Sequence, residues 1–207
     1  IGNVYDPTRE IVFGRGNLSF TSINLPRLAI KAKGDVDLFF ELLDNMIDLA
    51  MGQLMERFKI QSQKKVRNFP FLMGQGIWLD SEKLGPDDTI EEVIKHGTLT
   101  VGFIGLAECL KALIGVHHGE STEAQNLGLE IIGYMRKRMD EQARKTGLNW
   151  SVIATPAEGL SGRFVRIDRE KYGSIPGVTD RDYYTNSFHI PGAGCRNRKN
   201  TSVFPVR

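Results

Sequence analysis

Hydrophobic positions along the chain switch between two periods. Residues 17–25, Asn-Leu-Ser-Phe-Thr-Ser-Ile-Asn-Leu, alternate polar and apolar side chains and predict a strand, with Pro26 near its end. From Asp35, which stands where a cap belongs, the spacing becomes helical. Val36, Phe39, Phe40, Leu42, Leu43, Met46, Ile47, Leu49, Ala50 and Leu54 recur at helical spacing out to about Phe58, and the methionines read as core filling. Residues 67–86 are rich in glycine, proline and aromatics and read as loop or short extended segments. Thr89 and Glu92 suit the cap and third position of a short helix that Gly97 ends. A β-rich apolar run starts at Thr98, and a helix follows over 106–114. Thr122 and Gln125 form the capping box of a second long helix, stopped by Gly147, whose charged run from Arg136 to Arg144 reads as a solvated face. Residues 148–154 are the next strand, and 166–190 read as loop and then extended chain. Strands and helices that alternate in this way predict an α/β fold with about four mostly parallel strands.

The strand over 148–154 runs straight into Ala154-Thr-Pro-Ala-Glu-Gly-Leu-Ser-Gly-Arg163. Thr155 suits an N-cap, Pro156 the first helical position, and Glu158 falls three residues after Thr155. Such a turn is either a well-capped helix and nothing more, or an anion site, since a helix start presents free N–H groups and a positive dipole end. Its place at the carboxyl end of a strand favours the second reading, because sites in α/β folds form there.

Totals narrow the class. With 207 residues the chain can bury one core; 41% apolar and 25% charged residues are ordinary for a globular protein. No run approaches the length of a membrane span. A net charge of +2 argues against a general nucleic-acid binder, and the basic excess sits after Gly192, in Arg196, Arg198, Lys199 and Arg207. Two cysteines, Cys109 and Cys195, are too few for a disulfide framework or a zinc site and fit a reducing, cytoplasmic setting. Cys109 falls on the apolar face of its helix and reads as a buried thiol. Adjacent His117 and His118 cannot share one helix face and do not form a metal pair. The chain opens on Ile-Gly-Asn-Val without Met, as expected for a piece of something longer.

Five stretches, taken together and in order, resemble one family. They are GRGNLSFTSINLPRLAI (14–30), FLMGQGIWLDSEKL (71–84), GFIGLAECLKALIGVHHGES (102–121), ATPAEGLSGRFVRID (154–168) and GVTDRDYYTNSFH (177–189). The family is that of the anaerobic, class III ribonucleoside-triphosphate reductases, which are glycyl-radical enzymes. The resemblance covers residues 1–190 and implies part of a ten-stranded α/β barrel of the ribonucleotide reductase and pyruvate formate-lyase type. It further implies reduction of ribonucleoside triphosphates to 2'-deoxyribonucleoside triphosphates by a cysteine thiyl radical. That radical comes from a glycyl radical, which an activating enzyme installs with S-adenosylmethionine and an iron–sulfur cluster. Formate or thiol as reductant, a structural zinc, nucleotide effectors including ATP, and a homodimer belong to the same implication; nucleic acid and membrane do not. The family's radical cysteine, in a Met-Gly-Cys-Arg loop, is expected just before Ile1, and its zinc cysteines and Arg-x-Cys-Gly-Tyr radical motif do not occur in these residues. Residues 191–207 depart from the family's pattern and are expected to be an anomalous, disordered tail; Cys195 there is not expected to be catalytic. The 207-residue chain by itself is therefore expected to be inactive, to leave strand edges open, and to bind phosphate weakly. Other readings are a relative of the pyruvate formate-lyase type, which would lack the Thr155–Glu158 turn, and a non-catalytic nucleotide-binding piece.

Site residues follow from the matched positions. Asn17 corresponds to an asparagine near the active cysteine, where an amide can orient a ribose hydroxyl. Thr155, Ala157, Glu158, Gly159 and Leu160 correspond to the loop that receives substrate phosphates, with Glu158 as cap and not as acid. Asn186, Ser187 and His189 either line the pocket or close a strand. Arg15 and Arg163 either grip phosphate or make surface ion pairs.

Overall fold

A computed structural model describes residues 3–8 and 13–187. Three strands, β1 (Asn17–Asn24), β2 (Thr98–Ile104) and β3 (Asn149–Ala154), form one sheet in that order. The Thr98 amide donates to Gly16 O where β1 and β2 begin, and the Thr155 amide donates to Phe103 O where β2 and β3 end. Starts align with starts and ends with ends, so the strands are parallel, as the alternating pattern predicts. The helices are α1 (Leu25–Ala32), α2 (Val36–Ser62), α3 (Glu91–Ile94), α4 (Leu106–Ile114), α5 (Thr122–Thr146) and α6 (Glu158–Tyr172).

Several expectations shift. Helix α1 is an addition: Asn24, the last residue of β1, accepts from the Arg27 amide, and Pro26 occupies the first turn, where its missing N–H costs nothing. Asp35 does cap α2, accepting from the Leu38 amide. The cap of α5 is Ser121, whose hydroxyl accepts from the Ala124 amide, and so lies one residue before Thr122. Gly147, at φ 68°, ends α5 with its N–H on Ala143 O. Thr89 pairs with Lys65 in an isolated bridge, which leaves Ile90 as the uncapped start of α3. Residues 166–172, read as loop, belong to α6, because Val165 and Asp168 are buried on its inner side. Among the described residues there is no fourth strand; the segment after Gly173 is held by side chains instead.

The chain divides into two compact units. One draws on residues up to 21, 48–101 and 136–152; Leu54, Phe58, Ile94, Leu99, Val101, Met139 and Trp150 are buried in it. The other draws on 22–47, 102–135 and the chain from 153 on, and buries Leu25, Phe39, Leu43, Ile104, Leu110, Ile131 and Tyr184. In this second unit Gly105 caps α4 at φ 83°; a Cβ there would lie 2.4 Å from the Pro26 ring, so both conformation and space demand glycine.

Cys109 is fully buried on α4 and unpaired. Burial, and secondarily the Glu108 carboxylate, push its thiol well above the ordinary value, which suppresses the reactive thiolate. Alkylation of the native chain followed by peptide mapping should leave Cys109 unmodified, and denaturant should expose it; labelling in the native state would contradict this burial.

His117 and His118 are half-buried, and burial lowers both below the ordinary 6.5. The unfolded chain therefore binds more protons than the folded one below pH 6.5, and stability is lost as pH falls through that value toward the folded pKa values. Thermal melts at pH 7.5 and 5.5 should show a fall that His118→Asn reduces. An equal fall in the variant would remove His118 from this account.

Candidate functional site: the start of helix α6

Strand β3 ends at Ala154, and α6 begins at Glu158. The expected capping box between Thr155 and Glu158 does not form. Thr155 is 1% exposed, and its hydroxyl meets the hydroxyl of Ser22 on β1 at 2.7 Å, so it is occupied there and does not cap the helix. Helix α6 starts two residues later than a Thr155 cap requires, with Ala157 as an N-cap that offers no side-chain acceptor. The first helical acceptance is Ser161 N–H on Ala157 O. By helix geometry the amides of Glu158, Gly159 and Leu160 lack helical partners, and no side chain among the described residues caps them.

The turn is held from beneath. Ser22 and Thr155 meet over Gly102, where a Cβ would lie 2.0 Å from Thr155 Oγ1 and 2.8 Å from Ser22 Oγ. Glycine at 102 is what lets β1 and β3 share this hydroxyl pair. Ala157, Leu160 and Phe164 pack against buried Ile104, Val165 and Tyr184, which fixes the inner side of α6. Glu158 and Gly159 are exposed, and a Cβ at Gly159 would meet nothing within 4 Å. Packing among the described residues thus does not require Gly159.

Asn186 joins this turn: it is buried, and its amide donates to Ser161 Oγ at 3.1 Å, while Ser161 Oγ donates to Glu158 O. Ser187 is exposed beside it, and His189 lies outside the described residues. Asn17 belongs to the other unit. It is exposed at the start of β1, with Thr100 Oγ1 at 3.4 Å from its Oδ1; Thr100 also meets Ser151 Oγ at 2.8 Å. Arg163 is exposed on α6, and Arg15 is half-buried.

Two buried carboxylates, absent from the sequence-derived site, order the segment after α6. Asp168, 0% exposed, accepts from Arg27 Nε (2.6 Å), Asn24 Nδ2 (2.8 Å) and the Tyr184 hydroxyl (3.0 Å). Burial first, and the Asp168 charge second, raise the Tyr184 phenol, so it stays neutral and donates. Glu108, also 0% exposed, accepts from the Thr185 amide (3.0 Å), the Thr185 hydroxyl (2.9 Å) and Arg181 Nη1. A charged residue inside Leu-Ala-Glu-Cys-Leu was the available signal for Glu108. The reading of 166–190 as loop hid Asp168.

Comparison with known proteins decides the family. The family model for anaerobic ribonucleoside-triphosphate reductase matches residues 3–197. The chain belongs to this family. The reductase of Salmonella typhimurium is 39% identical over 184 residues, 87% of this chain and 26% of that protein, and the Escherichia coli reductase gives the same figures. That of Enterobacteria phage T4 is 36% identical over 187 residues, 87% of this chain and 29% of its own length. The chain thus spans little more than a quarter of these relatives.

Solved structures agree on the fold. The anaerobic ribonucleotide reductase of Thermotoga maritima with citrate in the active site aligns with a TM-score of 0.67 at 17% identity, over 84% of this chain and 30% of that one. The same enzyme in complex with dATP and CTP aligns at 0.56, 19% identity, 83% and 27%. The three-stranded parallel sheet with its helices is a partial α/β sheet, consistent with a piece of a reductase barrel. No helix among the described residues is long and apolar enough to cross a membrane.

Proposed function

We propose that this chain supplies the phosphate-receiving part of an anaerobic ribonucleotide reductase. The whole protein reduces ribonucleoside triphosphates to 2'-deoxyribonucleoside triphosphates, and the start of α6 takes the substrate triphosphate. The observation that carries this is the run of three uncapped amides, Glu158 to Leu160, at the carboxyl end of a parallel strand in a chain of this family. Amides at a helix start, with the positive end of the dipole behind them, suit an anion. Gly159 adds an open approach for it.

Each residue of the turn then has a role. Ser22 and Gly102 hold Thr155, and Thr155 fixes the turn from which the amides point. Leu160 anchors the helix start to Ile104 and Tyr184. Asn186, braced on Ser161, steadies the first turns of α6 from which the amides point. Asn17, which starts β1 in the other unit, is assigned no role at this turn. Glu158 is the first-turn carboxylate that complements the dipole and takes no part in proton transfer.

The glycyl radical, its S-adenosylmethionine-dependent activase, the zinc, the effectors and a homodimeric assembly belong to the whole protein. The radical supplies the one-electron chemistry that ordinary side chains cannot. Cys109 does not fit a thiyl role, since it is enclosed in α4 and faces no open site. The 207-residue polypeptide alone should yield no deoxyribonucleotide under anaerobic assay with formate and an activating enzyme.

Gly159→Ala tests the site. Alanine fills empty space on a helix and should leave the melting temperature unchanged or slightly higher. It should weaken ribonucleoside triphosphate binding several-fold, by blocking the close approach of phosphate to backbone. Wild-type affinity should itself be weak, because ordering the ligand is costly in a piece of the full site. A chain of the pyruvate formate-lyase type would bind no nucleotide, and equal binding by wild type and Gly159→Ala would exclude this surface as the phosphate site.

A further inference from the structure

We infer that Glu108 is a positioning residue for the substrate-phosphate site, acting through the segment that carries Asn186. This rests on the function proposed above and adds a residue to it. Glu108 is in the first turn of α4, where amides and dipole favour a carboxylate, but it is 0% exposed in a helix whose other charged residue is Lys111. Such burial is costly unless the oxygens are fully used. They are used on one segment. Thr185 donates both its amide and its hydroxyl to Glu108, and Arg181 donates through Nη1. In return the Gly105 amide donates to Thr185 O at 2.7 Å, so residue 185 is bound to the β2–α4 turn through its amide, its hydroxyl and its carbonyl.

The next residue is Asn186, and its amide reaches Ser161 Oγ in the first turns of α6. Tyr184, on the other side, is fixed by Asp168 and packs with Leu160 and Ala157. Residues 181–187 contain no regular secondary structure and so no backbone ladder of their own. The pair of buried carboxylates therefore helps to set the place of Asn186, with Glu108 holding the residue immediately before it. Glu108 does not touch the turn. It acts by fixing the segment from which Asn186 braces α6.

The test uses the ¹⁵N-labelled full chain and tripolyphosphate, read by amide shifts of Glu158, Gly159 and Leu160 well below the melting temperature. In wild type these amides should shift on titration. In Glu108→Gln the Thr185 amide should lose its protection from exchange, the Asn186 side-chain resonance should move, and tripolyphosphate affinity should fall about tenfold, the equivalent of one good hydrogen bond. Thr185→Ala, a milder change, should weaken binding in the same direction, and Thr185→Ser, which keeps the donor, should restore it. Unchanged affinity in folded Thr185→Ala, or in Glu108→Gln with the Thr185 amide released, overturns the positioning role and leaves the phosphate site standing. A wild-type chain whose α6 amides ignore tripolyphosphate overturns the phosphate site, and this inference with it.

Discussion

Gly102→Ala should destabilise the chain by about 2–3 kcal/mol, a large effect for one methyl group. The added Cβ would stand 2.0 Å from Thr155 Oγ1. Thr155 cannot swing freely aside, because it is β-branched and 1% exposed. Relief requires breaking the Ser22–Thr155 hydrogen bond and displacing the exit of β3, so triphosphate binding should fall as well. The cause is local, which a double-mutant cycle can show. Thr155→Ala removes the atom in conflict, so Gly102→Ala combined with Thr155→Ala should cost clearly less than the two single changes together. Additive losses, measured by denaturant unfolding, would mean that crowding at Thr155 is not the reason for glycine at 102.

Asp168→Ala should cost roughly 3 kcal/mol. Its two oxygens satisfy Arg27, Asn24 and Tyr184 together. Removal strands the Tyr184 hydroxyl, which is fully buried, and takes the counter-charge from Arg27, whose side chain is 31% exposed and can recover part of the loss by hydration. Asp168→Asn keeps the shape and one acceptor and should cost less. Denaturant unfolding of the two variants checks the order. Equal stability of Asp168→Ala and wild type would show that the hub contributes nothing net.

How much of this was legible in the sequence follows physical lines. The strands and long helices were legible, because a period of two or of 3.6 is written in Ile23, Phe39, Leu43, Ile47, Ile131 and Met135 wherever one face is buried. Helix starts were less so: Thr155, Thr89 and Thr122 each have the spacing of a cap, but a hydroxyl caps only if nothing else claims it. Ser22 claims Thr155, the bridge to Lys65 takes Thr89 into extended chain, and Ser121 precedes Thr122. The expectation of extended chain before Asn186 failed because residues 181–187 are positioned by Glu108 and Asp168, and contacts made across 77 and 16 residues leave no local period. The family was legible from ordered motifs, since their residues, Gly102 and Gly105 among them, answer to needs that propensity does not express.

The central claim is that the start of α6 receives the triphosphate of a ribonucleotide. A crystal structure of the chain soaked with a ribonucleoside triphosphate tests it most directly. The account expects phosphate oxygens within hydrogen-bond distance of the Gly159 and Leu160 amides, with Asn186 still on Ser161 and the Ser22–Thr155 pair intact beneath. A nucleotide bound elsewhere, with those amides facing solvent, would contradict it.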